Sequence, residues 1–202
     1  MYIAVVGNIG AGKTTLTKML VKHYGWTPKF ESVEDNPYLE YFYSDMKRWS
    51  FELQIYFLNK RIRDIIGTTK TNETVIQDRC AFEDRYIFAP TLHEQCNMSD
   101  RDFENYSSLF DLMIENTPKP DLVIYIQSSV GNLVSQIEKR DRGCESTMPI
   151  EYLSNLNKKY NDWIEQYQGK VVIVDGDNCK FENDQEAFNN IINKIDKEIY
   201  AK

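Results

Sequence analysis

Gly7, Asn8, Ile9, Gly10, Ala11, Gly12, Lys13 and Thr14 follow the spacing G-x-x-x-x-G-K-[ST], with Thr15 next in line. Glycines so placed let consecutive backbone N–H groups wrap a phosphate, while Lys13 reaches the terminal phosphates and Thr14 offers a hydroxyl to Mg2+. An apolar run over residues 2–6 precedes the loop and a helical pattern follows it, so the loop opens onto a helix amino end that attracts anions. A nucleoside triphosphate is the ligand this context predicts. The loop does not by itself name a reaction, because switches, motors, ATPases and small-molecule kinases share it.

Other residues have to complete the chemistry. Glu31 ends a second β-rich run and Asp78-Arg79 ends a third. In an open α/β sheet the carboxyl ends of strands line the ligand crevice, so all three should converge on the phosphate loop. Gln54, Phe57 and Arg61 stand three and four residues apart, which puts an amide, a ring and a guanidinium on one face of an otherwise apolar helix. Asp84 and Phe88, one turn apart, can bring a counter-charge for Arg61 and a stacking ring to the same pocket. Arg140 and Arg142 gather positive charge in the stretch 139–149, the pattern of an arginine lid over phosphates.

The elements that must hold these groups alternate. Strand-like runs at 2–6, 26–31, 74–78, 122–127 and 170–175 are separated by helical stretches, the pattern of an α/β fold with a five-stranded parallel sheet. Helices are predicted over 13–24, 48–66, 84–94 with a kink at Pro90, 100–116, 130–139, 150–166 and 184–200. Apolar side chains on several faces of 48–66 predict a helix buried nearly all round. No linker or repeat divides the chain, so residues 1–202 read as one domain with a small lid.

Composition bounds the rest. The 202 residues are 42% hydrophobic and 27% charged, which suits a folded globular chain. Lys plus Arg is 24 against 31 for Asp plus Glu, a net charge of −7, so neither a nucleic-acid polymer nor an anionic membrane is an expected partner. Cys80, Cys96, Cys144 and Cys179 lie far apart without ligand spacing, and with no basic leader or membrane-length apolar run they fit a cytoplasmic protein.

Taken together, the phosphate loop, the stretch Glu31 to Leu39, Tyr43, Arg48 to Gln54, Gln77-Asp78-Arg79 followed by Glu83 to Ala89, and Arg140-x-Arg142-x-x-Glu145 resemble the deoxyribonucleoside kinases. The likeness is to the bacterial branch called deoxyadenosine or deoxyguanosine kinases. It implies a P-loop kinase that phosphorylates the 5′-hydroxyl of a deoxyribonucleoside with ATP and Mg2+. Glu31 would be the general base, Asp78 an acid near Mg2+ and a rival for that role, and Arg79 would steady Glu31 and the phosphates. Tyr43 and Glu145 would hold the sugar 3′-hydroxyl; Gln54, Arg61 and Asp84 would read the base, with Phe88 stacked on it; Arg140 and Arg142 would form the lid. Ser32, Cys80 and Asn36 depart from residues common in the family. The resemblance also implies a homodimer through 48–66 and 84–96, with feedback inhibition by the end-product triphosphate. Two alternatives remain: a nucleoside monophosphate kinase such as thymidylate kinase, and a nucleotide switch, which the absence of an N-K-x-D motif argues against.

Overall fold

Strands β1 (Tyr2–Gly7), β2 (Thr27–Lys29), β3 (Val75–Asp78), β4 (Leu122–Gln127) and β5 (Val171–Asp175) form one all-parallel sheet in the order β2-β3-β1-β4-β5. The computed structural model describes residues 1–31, 36–68, 73–115, 117–140 and 148–200. Every residue of β1 is buried, and so are the first five of β4, because helices cover both sides of the sheet centre. Ile3, Ala4, Val5, Val6, Val123 and Ile124 have no solvent exposure and form the middle of the core.

Parallel strands need crossovers, and helices supply them. They are α1 (Lys13–Tyr24), α2 (Leu39–Ser44), α3 (Met46–Thr68), α4 (Ala81–Glu83), α5 (Ala89–Glu94), α6 (Asp100–Ile114), α7 (Val130–Arg140), α8 (Ile150–Gln166) and α9 (Gln185–Tyr200), with a π-helical turn at Asp84–Phe88 between α4 and α5. Two ends are capped as their residue types dictate. Ser99 accepts from the Asp102 N–H at 3.2 Å, and Asp184 accepts from the N–H groups of Glu186 and Ala187 at 2.9 and 3.1 Å.

The register places the site. Val5 pairs with Asp78, and the Arg79 N–H donates to the Val5 carbonyl at 3.0 Å. The chain therefore leaves β1 for the phosphate loop alongside the point where β3 delivers Asp78 and Arg79.

The structure corrects four details of the sequence reading. β2 is three residues rather than six: it is an edge strand containing Pro28, and β3, its one neighbour among the described residues, is four residues long. Glu31 consequently lies beyond the strand end. The helix α2 falls in a stretch where none is predicted. α3 is not buried all round: Leu53, Leu58, Ile62 and Ile65 are, but Phe51, Ile55, Tyr56 and Phe57 are half-buried and Ile66 is 49% exposed. The helix predicted over 84–94 is present but starts earlier, at Ala81, and is irregular ahead of its proline, because Pro90 has no N–H for the Tyr86 carbonyl and its ring would crowd it. The turn widens to a π-helix there, and Pro90 sits in the first turn of α5.

Candidate active site

A cavity of about 1270 Å³ opens at the carboxyl edge of the sheet. One wall is the phosphate loop, with Ile9, Gly10, Ala11, Gly12, Lys13, Thr14 and Thr15 all facing the cavity. The loop needs its glycines. Gly10 has φ +84°, and a Cβ there would lie 2.8 Å from the Leu133 carbonyl oxygen of α7. Gly7 and Asn8 do not line the cavity. The Gly7 N–H points at Glu83 Oε1 at 3.4 Å, and the Asn8 side chain turns to α8, donating to the Leu153 carbonyl at 3.0 Å and to Asn157 Oδ1 at 3.3 Å. Asn8 thus shapes the loop from behind.

Lys13 folds over the loop and donates from Nζ to the Asn8 carbonyl at 2.8 Å. Burial, and after it the nearby Arg79 charge, lowers its ammonium to about 7, against the pull of Asp78, Glu83 and Glu31. The hydroxyl of Thr14 donates to Asp78 Oδ2 at 2.5 Å, while Asp78 Oδ1, buried, has no hydrogen-bond partner. A hydroxyl and a free carboxylate oxygen beside a phosphate loop are the hard oxygen donors that Mg2+ takes, with phosphates and water completing its shell. Among the described residues no group of three or more His, Cys, Asp or Glu could hold a metal without such help.

Two arginines converge on Glu31. Arg79 Nε donates to Oε2 at 3.1 Å and Arg61 Nη2 to Oε1 at 2.6 Å. Burial alone would raise the Glu31 pKa, but Arg79, Arg61 and Lys13 together outweigh it and hold the carboxyl near 2. Asp78 moves the other way, because burial, with Glu31 adding to it, outweighs Lys13 and the Thr14 hydrogen bond. Two carboxylates of one site are thereby set apart, one fully charged and one reluctant.

Arg61 also holds Asp84 through Nη1, so it bridges two carboxylates. Burial pushes Asp84 up to about 6 even with Arg61 beside it. Asp84 Oδ2 and Gln54 Oε1 are both buried without a hydrogen-bond partner. Such acceptors cost free energy unless a ligand satisfies them, so they mark the end of the cavity where polar edges are read. Phe57, under the Arg61 guanidinium at 4.7 Å, and Phe88, under that of Arg79 at 4.9 Å, supply rings there, and Tyr43 and Arg140 line the same cavity. Arg142 and Glu145 lie outside the described residues, as does most of the predicted lid.

Several site residues carry no role in the sequence reading. Glu83, fully buried, accepts from the Cys80 N–H at 2.7 Å, Arg79 Nη1 at 3.3 Å and the Tyr160 hydroxyl at 2.7 Å. Its signal is visible in the sequence, since Glu83 stands three residues after Cys80 and four after Arg79, the capping-box and ion-pair spacings. Residues 179–183, after β5, form the far wall near the phosphate loop, with Phe181 3.5 Å from where a Gly12 Cβ would stand. The same carboxyl-edge rule that selects Glu31 and Asp78 also points to them.

A family model described as deoxynucleoside kinase matches residues 3–200. The chain is 37% identical over 199 residues to the deoxyadenosine/deoxycytidine kinase of Bacillus subtilis (strain 168), covering 96% of this chain and 90% of that one. It is 36% identical to the deoxyguanosine kinase of the same organism, with 94% and 93% covered. Among solved structures, a deoxyadenosine kinase from M. mycoides with bound dATP superposes with a TM-score of 0.86 at 31% identity, over 97% of this chain and 99% of that one.

Proposed function

Since the chain belongs to the deoxynucleoside kinase family, we propose that it moves the γ-phosphoryl group of ATP to the 5′-hydroxyl of deoxyadenosine in preference to other deoxynucleosides. The observation that carries the preference is the pair of buried, unpartnered acceptors Gln54 Oε1 and Asp84 Oδ2 beside Arg61. Gln54 Oε1 can accept from the 6-amino group of adenine while its amide Nε2 donates to N1, and Asp84 accepts a further amino proton. Cytosine offers a similar acceptor–donor edge and guanine a rearranged one, so deoxycytidine and deoxyguanosine rank below. Thymine would bring its 5-methyl group towards the Arg61–Asp84 pair, which makes thymidine poorest.

In the proposed reaction Glu31 receives the 5′-hydroxyl proton while Arg79 and Arg61 hold its carboxylate in line. Phosphoryl transfer through a loose transition state asks for orientation more than basicity, so a carboxylate with a low pKa suffices. Lys13 and Arg79 would face the charge that develops on the transferred group, and on the family resemblance Arg140 and Arg142 would add to them from the lid. Thr14 and Asp78 would hold Mg2+, which when bound draws charge from the β and γ phosphates. Tyr43 and Glu145 would grip the 3′-hydroxyl.

A nucleoside monophosphate acceptor is disfavoured by charge, because its phosphate would meet the Glu31 carboxylate. The exposed apolar side chains Ile66, Tyr86 and Leu112 support a homodimer on this flank. No helix among the described residues is long and apolar enough to cross a membrane. Scattered free thiols suit a reducing compartment, and we place the enzyme in the cytoplasm.

The test is a panel of the four deoxynucleosides and their monophosphates with ATP and Mg2+, reading ADP release. Phosphorylation of deoxyadenosine above the rest supports the proposal. A preference for thymidine, or for any monophosphate, overturns it.

A further inference from the structure

The α8 helix reaches the site from behind. Its Tyr160, with no solvent exposure, donates its hydroxyl proton to Glu83 Oε1 at 2.7 Å and accepts from Arg79 Nη1 at 2.9 Å. Arg79 Nη1 has two other oxygens within reach, Glu83 Oε1 and the Gly7 carbonyl, each at 3.3 Å, so the tyrosine contact is its shortest. The Arg79 backbone has φ +68°, a region that L side chains rarely adopt and that persists only where surroundings over-determine it. At the opposite end of the same guanidinium, Nε holds Glu31. One arginine thus spans from Tyr160 and Glu83 to the carboxylate at the reacting end of the cavity.

Tyr160 does not line that cavity. Its ring packs edge-on to Phe88 at 6.3 Å and parallel to Tyr125 at 6.0 Å, contacts that a phenylalanine would keep. The phenol also stays protonated, since burial and the Glu83 carboxylate both raise its pKa well above 10. The hydroxyl is therefore a permanent donor to Glu83 and acceptor from Arg79, and it is separable from the ring's packing role.

We infer that Tyr160 is a positioning residue for phosphoryl transfer: its hydroxyl fixes the Arg79 guanidinium in the orientation that serves Glu31. The inference rests on the reading of Glu31 and Arg79 as parts of the transfer site. Tyr160 touches no substrate. Its effect passes through Arg79, so its loss should be felt in turnover and not in ATP capture, which the phosphate loop provides.

The experiment is a double-mutant cycle with deoxyadenosine and ATP, measuring kcat and both KM values for wild type, Tyr160→Phe, Arg79→Lys and the double variant, with thermal melts of each. Tyr160→Phe is expected to lower kcat by roughly tenfold or more, as misplacement of a positioned group does, with KM for ATP within about twofold of wild type. In the Arg79→Lys background the same change should cost little further. A Tyr160→Phe kcat near wild type overturns the inference, and so does a loss of undiminished size in the Arg79→Lys background. An Arg79→Lys protein with normal kcat would instead overturn the role of Arg79 itself, which the cycle reports separately. If Tyr160→Phe does not fold, Tyr160→His, which returns a polar ring to the same place, enters the cycle with the same two criteria.

Discussion

Arg61 and Glu31 are joined by a hydrogen bond of 2.6 Å, and the same guanidinium holds Asp84 through its other nitrogen. In the proposed reaction the group that would read the base is therefore also a donor to the carboxylate that would meet the 5′-hydroxyl. On the proposed reading base choice and turnover share this side chain, so a substitution at Arg61 should alter both.

Arg61→Met combined with Asp84→Ala should open the pocket towards thymidine, because the charged pair gives way to apolar space. It should also lower kcat for every deoxynucleoside, since Glu31 loses its shortest donor. Competition among the four deoxynucleosides reads the first effect and single-substrate kinetics the second. A shift in preference with undiminished kcat would show that the Arg61–Glu31 bond is idle.

Glu31→Gln keeps the shape of the side chain but cannot receive a proton. Turnover should fall by about 10²-fold or more, with ATP binding retained. Asp78→Asn should in addition raise the Mg2+ concentration needed for half-maximal rate. Normal turnover in Glu31→Gln, with Asp78→Asn inactive at every Mg2+ concentration, moves the base to Asp78.

Lys13 predicts how ATP binding depends on pH. Its ammonium, lowered to about 7, loses its proton as pH rises from 7 to 8.5, and an incoming triphosphate restores the pKa by its charge. ATP binding above pH 7 should therefore take up a proton, and Kd should rise by up to about tenfold per pH unit. Calorimetry in buffers of different ionisation enthalpy measures the uptake. Lys13→Ala should abolish both the slope and turnover.

Stability should respond to pH with opposite signs at two carboxylates. Glu31, held near 2 against an ordinary 4.5, adds stability that is present above 4.5 and lost as pH falls towards 2. Asp84, raised to about 6 from 3.8, binds its proton more tightly folded than unfolded, so stability declines as pH rises from 3.8 through 6. Melting temperatures of wild type and Asp84→Asn between pH 4 and 7.5 check this. The wild type should lose more than the variant over that interval.

Much of this site is legible in the chain itself, for reasons that differ by residue. The phosphate loop is continuous in sequence and its chemistry dictates its residue types. Glu31, Asp78 and Arg79 follow from the carboxyl-edge rule, and the helical spacing of Gln54, Phe57 and Arg61 gives their common direction. Partnership is harder to read. Nothing in the spacing tells that Arg61 reaches Glu31 as well as Asp84, or that Asn8 turns away from the phosphates to α8, because each depends on how separate elements pack. Tyr160 is hidden for a simpler reason: a tyrosine in an apolar helix stripe looks like core, and it is core apart from one oxygen. The shortness of β2 is not legible in the chain, because an edge strand is limited by its neighbour and not by its own β-propensity.

The sheet order also sets a timetable. β1 precedes both of its neighbours in the chain, β3 some seventy residues on and β4, which ends at Gln127. The loop has local bonds of its own, such as that of Lys13 to the Asn8 carbonyl, but the sheet partners of β1 are distant, so a growing chain cannot complete the sheet under the phosphate loop until β4 has been made. Parallel pairing at such separations is slow to close and leaves apolar strands exposed meanwhile. A nucleotide, which needs the loop seated on its sheet, should therefore stabilise this chain only once β4 has docked beside β1.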